Sequence, residues 1–152
     1  MSAIEIRYGT LDDVPQIVPL FERYREFYGE APRPEASRQF LEDRFFLGES
    51  KLFIAVEGGA IVGFTQLFPS FSSVTLQRMW ILNDLYVDLS SRGRGTGRSL
   101  LDAAAHFGRR SGAKQLFIEG AVDNQTARSL YERFGFVLNS EYYYYHYPLV
   151  SA

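Results

Sequence analysis

The chain of 152 residues has no cysteine, only two histidines and no long uninterrupted apolar run. Without cysteine, a disulfide scaffold, a cysteine nucleophile and a thiolate zinc site are excluded. His106 and His146 fall in no pattern that matches a known ligand set, so we expect no metal. No apolar stretch approaches the roughly 18–20 residues of a membrane span, and the first residues do not resemble a signal peptide. These absences favour a cytoplasmic protein that does not bind a membrane.

The chain does contain enough apolar residues to form one folded domain. Hydrophobic residues make up 46% and aromatic residues 16% of the sequence, and a single domain typically holds about 100–200 residues. We therefore expect one domain over residues 1–152. The net charge of −2 gives no reason to expect nucleic acid. Arg92, Arg94 and Arg98 nevertheless lie in one glycine-rich stretch, which suggests a small anionic ligand.

The hydrophobic pattern predicts a mixed α/β sheet. Apolar residues at helical spacing predict helices over residues 14–28, 35–47, 98–111 and 127–134. Alternating or continuous apolar residues predict seven strands, at Ile4–Tyr8, Lys51–Glu57, 60–68, 75–88, 115–121 and two short segments after Gly135, the last at 142–147. Gly58 and Gly59 predict a hairpin between the second and third strands. The element order indicates antiparallel pairing early and right-handed crossovers late.

A glycine-rich loop between a strand and a helix carries most of the chemical information. The loop and the start of the helix read Arg-Gly-Arg-Gly-Thr-Gly-Arg-Ser over residues 92–99. The first backbone N–H groups of a helix lack internal partners and attract negative charge, so this arrangement suits phosphate. Glycines let oxygen atoms approach the backbone, and arginines can bind phosphate oxygens in pairs.

Two common phosphate motifs do not fit this loop. A P-loop would need Gly-Lys-Ser/Thr, which is missing, and a dinucleotide fingerprint that starts at Gly93 meets Arg98 where its last glycine belongs. The pattern that remains is Arg-x-x-Gly-x-Gly, formed by Arg92, Gly95 and Gly97. A later stretch contains Asn124, Ala127, Leu130-Tyr131 and Gly135-Phe136.

With these two motifs in this order, the chain resembles the GCN5-related N-acetyltransferase (GNAT) family, most strongly over residues 75–140. The resemblance implies the GNAT fold: one domain with a mixed sheet of about seven strands, about four flanking helices and a V-shaped splay between the fourth and fifth strands. It implies acetyl-CoA as the cosubstrate, held by Leu85, Tyr86, Val87, Arg92, Gly93, Arg94, Gly95, Thr96, Gly97, Arg98 and Asn124.

The resemblance also implies the reaction. A neutral primary amine of a small molecule or peptide would attack the thioester directly, and Tyr131 would donate a proton to the departing thiolate. Asp84 is the first candidate for the general base, although a structural ion pair is an alternative for it. Glu119 is a second candidate, and Glu22 or Glu26 a third. The stretch Leu-Asn-Asp-Leu-Tyr-Val also resembles the diamine-acetyltransferase branch, but Asn83 stands where that branch commonly has an acidic residue.

The acceptor and the assembly are predicted only in outline. The first two predicted helices border the acceptor pocket in this fold and carry Glu22, Glu26, Glu30 and Glu35, which favours a cationic acceptor; a solvated surface is the alternative. The aromatic run at 142–147 predicts a strand buried on both faces rather than an aromatic cage around a cation. Such strands suggest a homodimer. The alternative function is a non-catalytic acyl-CoA-binding regulatory module.

Overall fold

The computed structural model describes residues 3–150, so the two residues at each end of the expected domain lie outside the described chain. The described residues form one five-stranded sheet and four α-helices. In chain order these are β1 (Ile4–Tyr8), α1 (Val14–Phe27), α2 (Pro34–Phe46), β2 (Lys51–Glu57), β3 (Ala60–Ser72), β4 (Gln77–Val87), α3 (Thr96–Arg110), β5 (Leu116–Ile118) and α4 (Gln125–Phe134). None of the described helices has both the length and the apolar character of a membrane span.

The sheet follows chain order, β1-β2-β3-β4-β5. The first four strands pair antiparallel, and β5 joins β4 in parallel after the α3 crossover. Gly58 and Gly59 form the β2–β3 turn with φ values of +56° and +79°. Two positive φ angles are what a tight hairpin with the twist of its strands requires, so the predicted hairpin is confirmed.

The sheet separates two apolar layers. Along β2, Leu52 and Ile54 pack with α1 and α2, whereas Phe53 and Ala55 pack with α3. Each layer is therefore set by the two-residue repeat of the strand. Helix α3 supplies Leu100, Leu101 and Ala104 to its layer, all fully buried.

A β-bulge in β4 changes which side chains face each layer. Pairing with β3 passes from Leu67↔Leu82 directly to Gln66↔Asp84, which leaves Asn83 as the extra residue of the bulge. Before the bulge, Leu82 packs in the α3 layer, and after it Leu85 does so. The side chain of Asp84 is thereby turned toward the α1 side of the sheet.

The expected seven strands are not found, because the described residues after α4 contain neither strand nor helix. The prediction for residues 142–147 was wrong in burial as well: the five tyrosines of this run are 73–89% exposed. Consecutive tyrosines have no apolar-polar alternation, and the strand preference of an aromatic residue depends on neighbours to pack against. The outer edge of the sheet here is the three-residue β5, which supplies few neighbours.

Candidate active site

The candidate site is a cleft that opens where β4 leaves β5. Parallel pairing between these strands ends at Leu82↔Ile118, although β4 continues to Val87. The expected separation of the fourth and fifth strands is thus visible in their pairing. A cavity of about 500 Å³ lies here, lined by residues of α1 and the turn after it, of β4, and of the segment after β5. The side chains used below are those of Tyr24, Arg25, Tyr28, Glu30, Asp84 and Glu119.

The unpaired part of β4 presents backbone groups to the open side of the cleft. Asp88 donates its backbone N–H to Val62 on the β3 side. Because hydrogen-bonding direction alternates along an antiparallel strand, the backbone groups of Tyr86 also turn to β3, and those of Leu85 and Val87 turn to the open edge. An extended ligand arm could therefore pair with Leu85 and Val87 as an added strand.

The loop before α3 forms a cradle of backbone N–H groups. Gly93 and Gly95 have φ values of +78° and +79°, a region that favours glycine, and a Cβ at either would meet open space. The first bond across the start of α3 runs from the Ser99 N–H to the Gly95 carbonyl at 2.9 Å. The N–H groups of residues 96–98 precede it and point out of the helix end, so they fit a pyrophosphate group.

The three arginines of this loop have different surroundings. Arg94 makes a two-point ion pair with Glu57, at 2.6 and 2.7 Å. Arg92 donates from Nε to the Val87 carbonyl at 2.7 Å. Arg98 places its guanidinium over the Phe134 ring, 5.3 Å from the ring centroid. The sequence suggested three phosphate-binding arginines, whereas the side chain of Arg94 is engaged with β2.

Asp84 is buried in the cleft wall, where its carboxylate accepts hydrogen bonds from two side-chain amides. Its Oδ2 accepts from Gln66 Nε2 at 2.6 Å, and its Oδ1 accepts from Asn83 Nδ2 at 2.9 Å. Burial raises the pKa of Asp84 above its usual value, and the hydrogen bonds from Gln66 and Asn83 oppose that rise. No cation pairs with this carboxylate among the ion pairs of residues 3–150. The structural ion pair considered for Asp84 is therefore not found.

Tyr24 and Gln66 support the site, although the sequence alone pointed to neither residue. The Tyr24 hydroxyl donates to the carbonyl of the bulge residue Asn83 at 3.1 Å. Burial is the main reason that the pKa of Tyr24 is raised. Gln66 is a fully buried polar residue within an apolar strand, which is a sequence signal that could have singled it out. Tyr24 and Tyr28, four residues apart on one helix face, offered a weaker signal.

Tyr131 lies on α4 beside the same cleft. Its ring packs edge-on to Phe136 at 5.9 Å and lies 3.9 Å from where a Cβ of Gly120 would be. Burial, with smaller contributions from Tyr28 and Asp84, raises the pKa of Tyr131 to about 12. The hydroxyl is therefore protonated at neutral pH. Asn124 begins this helix, and its Oδ1 accepts from the Ala127 N–H at 3.2 Å, as an N-cap does.

The three glutamates considered as the general base differ in their access to the cleft. Glu22 accepts hydrogen bonds from Ser37, the Arg33 backbone and Arg25, so it ties α1 to α2. Glu26 is exposed on α1. Glu119 lines the cleft together with Asp84. Of the four candidates for the general base, Asp84 and Glu119 are the two that the fold brings into one cavity.

The chain is similar to known proteins, and this similarity shows the family to which it belongs. A family model described as "Acetyltransferase (GNAT) family" matches residues 17–136. The chain belongs to the GNAT acetyltransferase family. The uncharacterized N-acetyltransferase YhfO of Bacillus subtilis (strain 168) is 42% identical over 142 residues, 93% of this chain and 95% of that protein. A probable acetyltransferase of Haemophilus influenzae is 38% identical over 128 residues, 84% of this chain and 86% of that protein.

Solved structures agree with this placement. The crystal structure of a probable acetyltransferase superposes with a TM-score of 0.92 at 39% identity, covering 97% of this chain and 99% of that one. The family and enzyme class expected from the sequence, a GNAT N-acetyltransferase, are thus confirmed. In the part of the chain that the structure describes, no group of three or more His, Asp or Glu side chains could hold a metal ion.

Proposed function

We propose that this GNAT enzyme transfers an acetyl group from acetyl-CoA directly to a primary amine in the cleft between β4 and β5. The observation that carries the proposal is the arrangement of that cleft. Asp84 lines the cleft as a buried carboxyl group, and Tyr131 lies beside the cleft, against the lining residue Gly120. The N-terminus of α3 follows the end of β4, the strand that carries Asp84. Acid, base and phosphate cradle therefore border one opening.

The binding part of the proposal uses backbone groups more than side chains. The Leu85 carbonyl and the Val87 N–H would pair with the pantetheine arm along the open edge of β4, since the Val87 carbonyl already accepts from Arg92. The N–H groups of residues 93–98 would bind the pyrophosphate at the helix N-terminus. The amide group of Asn124, whose Oδ1 already caps α4, would contact the arm through Nδ2. Bound acetyl-CoA would supply a thioester that an amine can attack.

The proton transfers follow from the two perturbed groups. An amine of pKa about 10 is almost wholly protonated at neutral pH and must lose a proton before it attacks. Asp84 would accept that proton, directly or through water, and its raised pKa brings its basicity closer to neutral pH. Tyr131 would donate a proton to the leaving sulfur. The Leu85 N–H would polarise the acetyl oxygen.

The acceptor class follows from the charges that face the cavity. Glu30, Asp84 and Glu119 line it together with one cation, Arg25. Arg25 is already engaged with Glu22 at 3.0 Å, with the Ala31 carbonyl, and with Glu30 itself at 3.9 Å. The net charge of the side chains that line the cavity is therefore negative. This charge favours an acceptor amine that carries a positive charge over a neutral hydroxy compound.

The experiment that tests the proposal is an acceptor screen that follows release of free thiol from acetyl-CoA. Primary amines, from amino acids and diamines to aminoglycosides and lysine peptides, are compared with matched alcohols at equal concentration. We expect thiol release and an acetylated product with amines only, and faster turnover with amines that carry a second cation. Preference for the alcohols would overturn the proposed acceptor class.

A further inference from the structure

The glycine-rich loop is tied to a strand that precedes it by more than thirty residues. Glu57 is the last residue of β2, and its two carboxylate oxygens accept from the two terminal nitrogens of Arg94 at 2.6 and 2.7 Å. Both side chains are at least three-quarters shielded from solvent, at 19% exposure for Glu57 and 25% for Arg94. The ion pair lowers the pKa of Glu57 below its usual value, chiefly through the Arg94 hydrogen bonds.

Additional contacts around this pair hold the loop in place. Ser91 is buried, and its hydroxyl lies 3.5 Å from the same Glu57 carboxylate. Thr96, also buried, donates from its hydroxyl to the Ser91 carbonyl at 3.3 Å. Glu57 therefore contacts Arg94 of the loop directly, and it is linked to Thr96 through Ser91. These contacts lie on either side of Gly95, whose left-handed backbone shapes the cradle.

We infer that Glu57 is a positioning residue for coenzyme binding, and that Arg94 acts by fastening the loop to β2 rather than by binding phosphate. The inference rests on the proposed function, because it takes the loop as the pyrophosphate site. A backbone cradle gains affinity only when its N–H groups already converge, since ordering a free loop costs conformational entropy at the moment of binding. The Glu57–Arg94 pair supplies that order in advance.

The two possible roles of Arg94 predict opposite effects at Glu57. If Arg94 bound phosphate, Glu57 would compete for it, and removing the Glu57 charge would strengthen coenzyme binding. The general electrostatic effect has the same sign, because Glu57 places a negative charge near an anionic ligand. If Glu57 and Arg94 fasten the loop, neutralising Glu57 weakens coenzyme binding, although release of Arg94 and loss of repulsion would each strengthen it.

The test is a double-mutant cycle on coenzyme A binding by calorimetry, with Glu57→Gln, Arg94→Gln and the double variant in the full chain. We expect each single variant to raise Kd about three- to tenfold, and the double variant to be no weaker than either single one. Tighter binding by Glu57→Gln, or additive losses in the double variant, would overturn the inference. Arg94→Lys keeps the charge but not the two-point contact, and it should weaken binding as well.

Steady-state kinetics separate positioning from general damage. With acetyl-CoA, KM should rise in the Glu57 variant while kcat stays within about twofold of wild type. With S-acetylpantetheine, which has the thioester arm but no pyrophosphate, both parameters should match wild type. Glu42→Gln is the matched control, because it removes an ion-paired carboxylate from α2, a helix that packs against α1. An equal rise in KM for S-acetylpantetheine would contradict a role in the pyrophosphate loop.

The same measurements distinguish failure of this inference from failure of the proposed function. Wild-type protein that does not bind coenzyme A would refute the proposed function itself. Wild-type protein that binds, together with a Glu57→Gln variant that binds equally well, refutes the inference alone. Circular dichroism confirms that each variant is folded. If Glu57→Gln does not fold, Glu57→Asp decides the question, because it keeps the charge but shortens the reach to Arg94. We expect weaker binding of coenzyme A by this variant, and unchanged or tighter binding would overturn the inference.

Discussion

At the scale of single residues, the ionisation of Asp84 reflects a balance between burial and hydrogen bonding. Burial favours the neutral acid, whereas the Gln66 and Asn83 amide donors favour the carboxylate. Burial prevails, so the carboxyl group binds its proton more tightly than an exposed aspartate does. A base of this kind accepts a proton from an amine more readily than an ordinary aspartate would.

The first prediction concerns the pH dependence that Asp84 should give. Only its ionised form can act as a base, so we expect kcat/KM to fall as pH drops through the raised pKa of Asp84, at higher pH than for an exposed carboxyl group. Asp84→Asn should lower kcat by about 10²–10³-fold and remove this part of the acidic limb. The measurement is a pH–rate profile of both proteins with one acceptor, because the amine contributes a slope of its own.

Glu119→Gln is the matched control for Asp84, since it neutralises the other candidate base that lines the cavity. A small change in kcat is expected there, with a larger change in KM for a cationic acceptor. A 10²-fold loss of kcat in the Glu119 variant, with Asp84→Asn close to wild type, would transfer the role of base to Glu119.

The second prediction concerns the hydroxyl of Tyr131. Tyr131→Phe keeps the ring that packs against Phe136 but removes the proposed proton donor. We expect kcat to fall about 10²–10³-fold with the Kd for coenzyme A unchanged, which calorimetry and thiol release measure together. Tyr28→Phe is the control, because Tyr28 lines the cavity and contributes to the raised pKa of Tyr131. An unchanged rate in the Tyr131 variant would remove the hydroxyl from the mechanism and favour a binding module.

Some residues of the candidate site could be read from the sequence and others could not. Tyr131 and the glycines of the loop belong to short motifs, so their neighbours in sequence reveal them. Gln66 and Glu57 act on residues 18 and 37 positions away. A contact between residues so distant in sequence depends on how the strands pair, which the local pattern does not encode.

At the scale of secondary-structure elements, the bulge in β4 decides where the chemistry lies. The boundaries of β1 and β2 match the prediction because each has a clear apolar pattern and a sharp turn beside it. The apolar run of β4 gave no sign of the extra residue at Asn83. An unbroken two-residue repeat would have turned Asp84 toward α3, with Leu82. The side of the sheet that carries Asp84 could therefore not be predicted from alternation.

The third prediction tests how α3 and α4 share the site. A Cβ at Gly97 would lie 3.2 Å from Leu130 Cδ2, closer than an ordinary van der Waals contact. Gly97→Val should push α4 away and displace Tyr131, which lies next to Leu130. Because small misplacements of catalytic groups are costly, we expect kcat to fall about 10–100-fold. Thiol-release kinetics and thermal unfolding of the same samples are the measurements.

Gly97→Ala is the graded control for this prediction. It adds only the Cβ, and alanine also favours the helix, so its activity should lie between wild type and the valine variant. Equal activity in all three proteins would mean that the approach of α3 to α4 does not position Tyr131.

At the scale of the whole molecule, the two halves of the chain differ in how much apolar surface they bury. Among residues 3–150, the fully buried apolar side chains of the core end at Ala104. Helix α4 has no fully buried side chain within the described chain, and β5 contributes three residues of pairing. The half that carries Tyr131 and Asn124 therefore has less apolar burial to stabilise it, and we expect it to open more readily than the rest of the sheet.

The fourth prediction follows from this asymmetry. Coenzyme A would join β4, the start of α3 and the start of α4, so its binding energy opposes any opening that separates them. At about 100 times Kd, we expect amide hydrogen exchange in Gln125–Phe134 and in residues 92–98 to slow by at least tenfold. Amides of β1 that exchange by local fraying should not change, because that strand lies at the opposite edge of the sheet. Exchange followed by mass spectrometry measures all three regions at once.

3′-Phosphoadenosine 5′-diphosphate is the matched ligand control for this exchange experiment, because it has the 3′-phosphate and the pyrophosphate of coenzyme A but no pantetheine arm. It should slow exchange in residues 92–98 and leave α4 nearly unchanged, since the proposed contact to α4 runs from Asn124 to the arm. If coenzyme A also protected only the loop, the arm would not lie between β4 and α4. The cleft that holds Asp84 and Tyr131 would then be bordered by the coenzyme on one side only, and direct transfer to an amine in that cleft would lose its geometric basis.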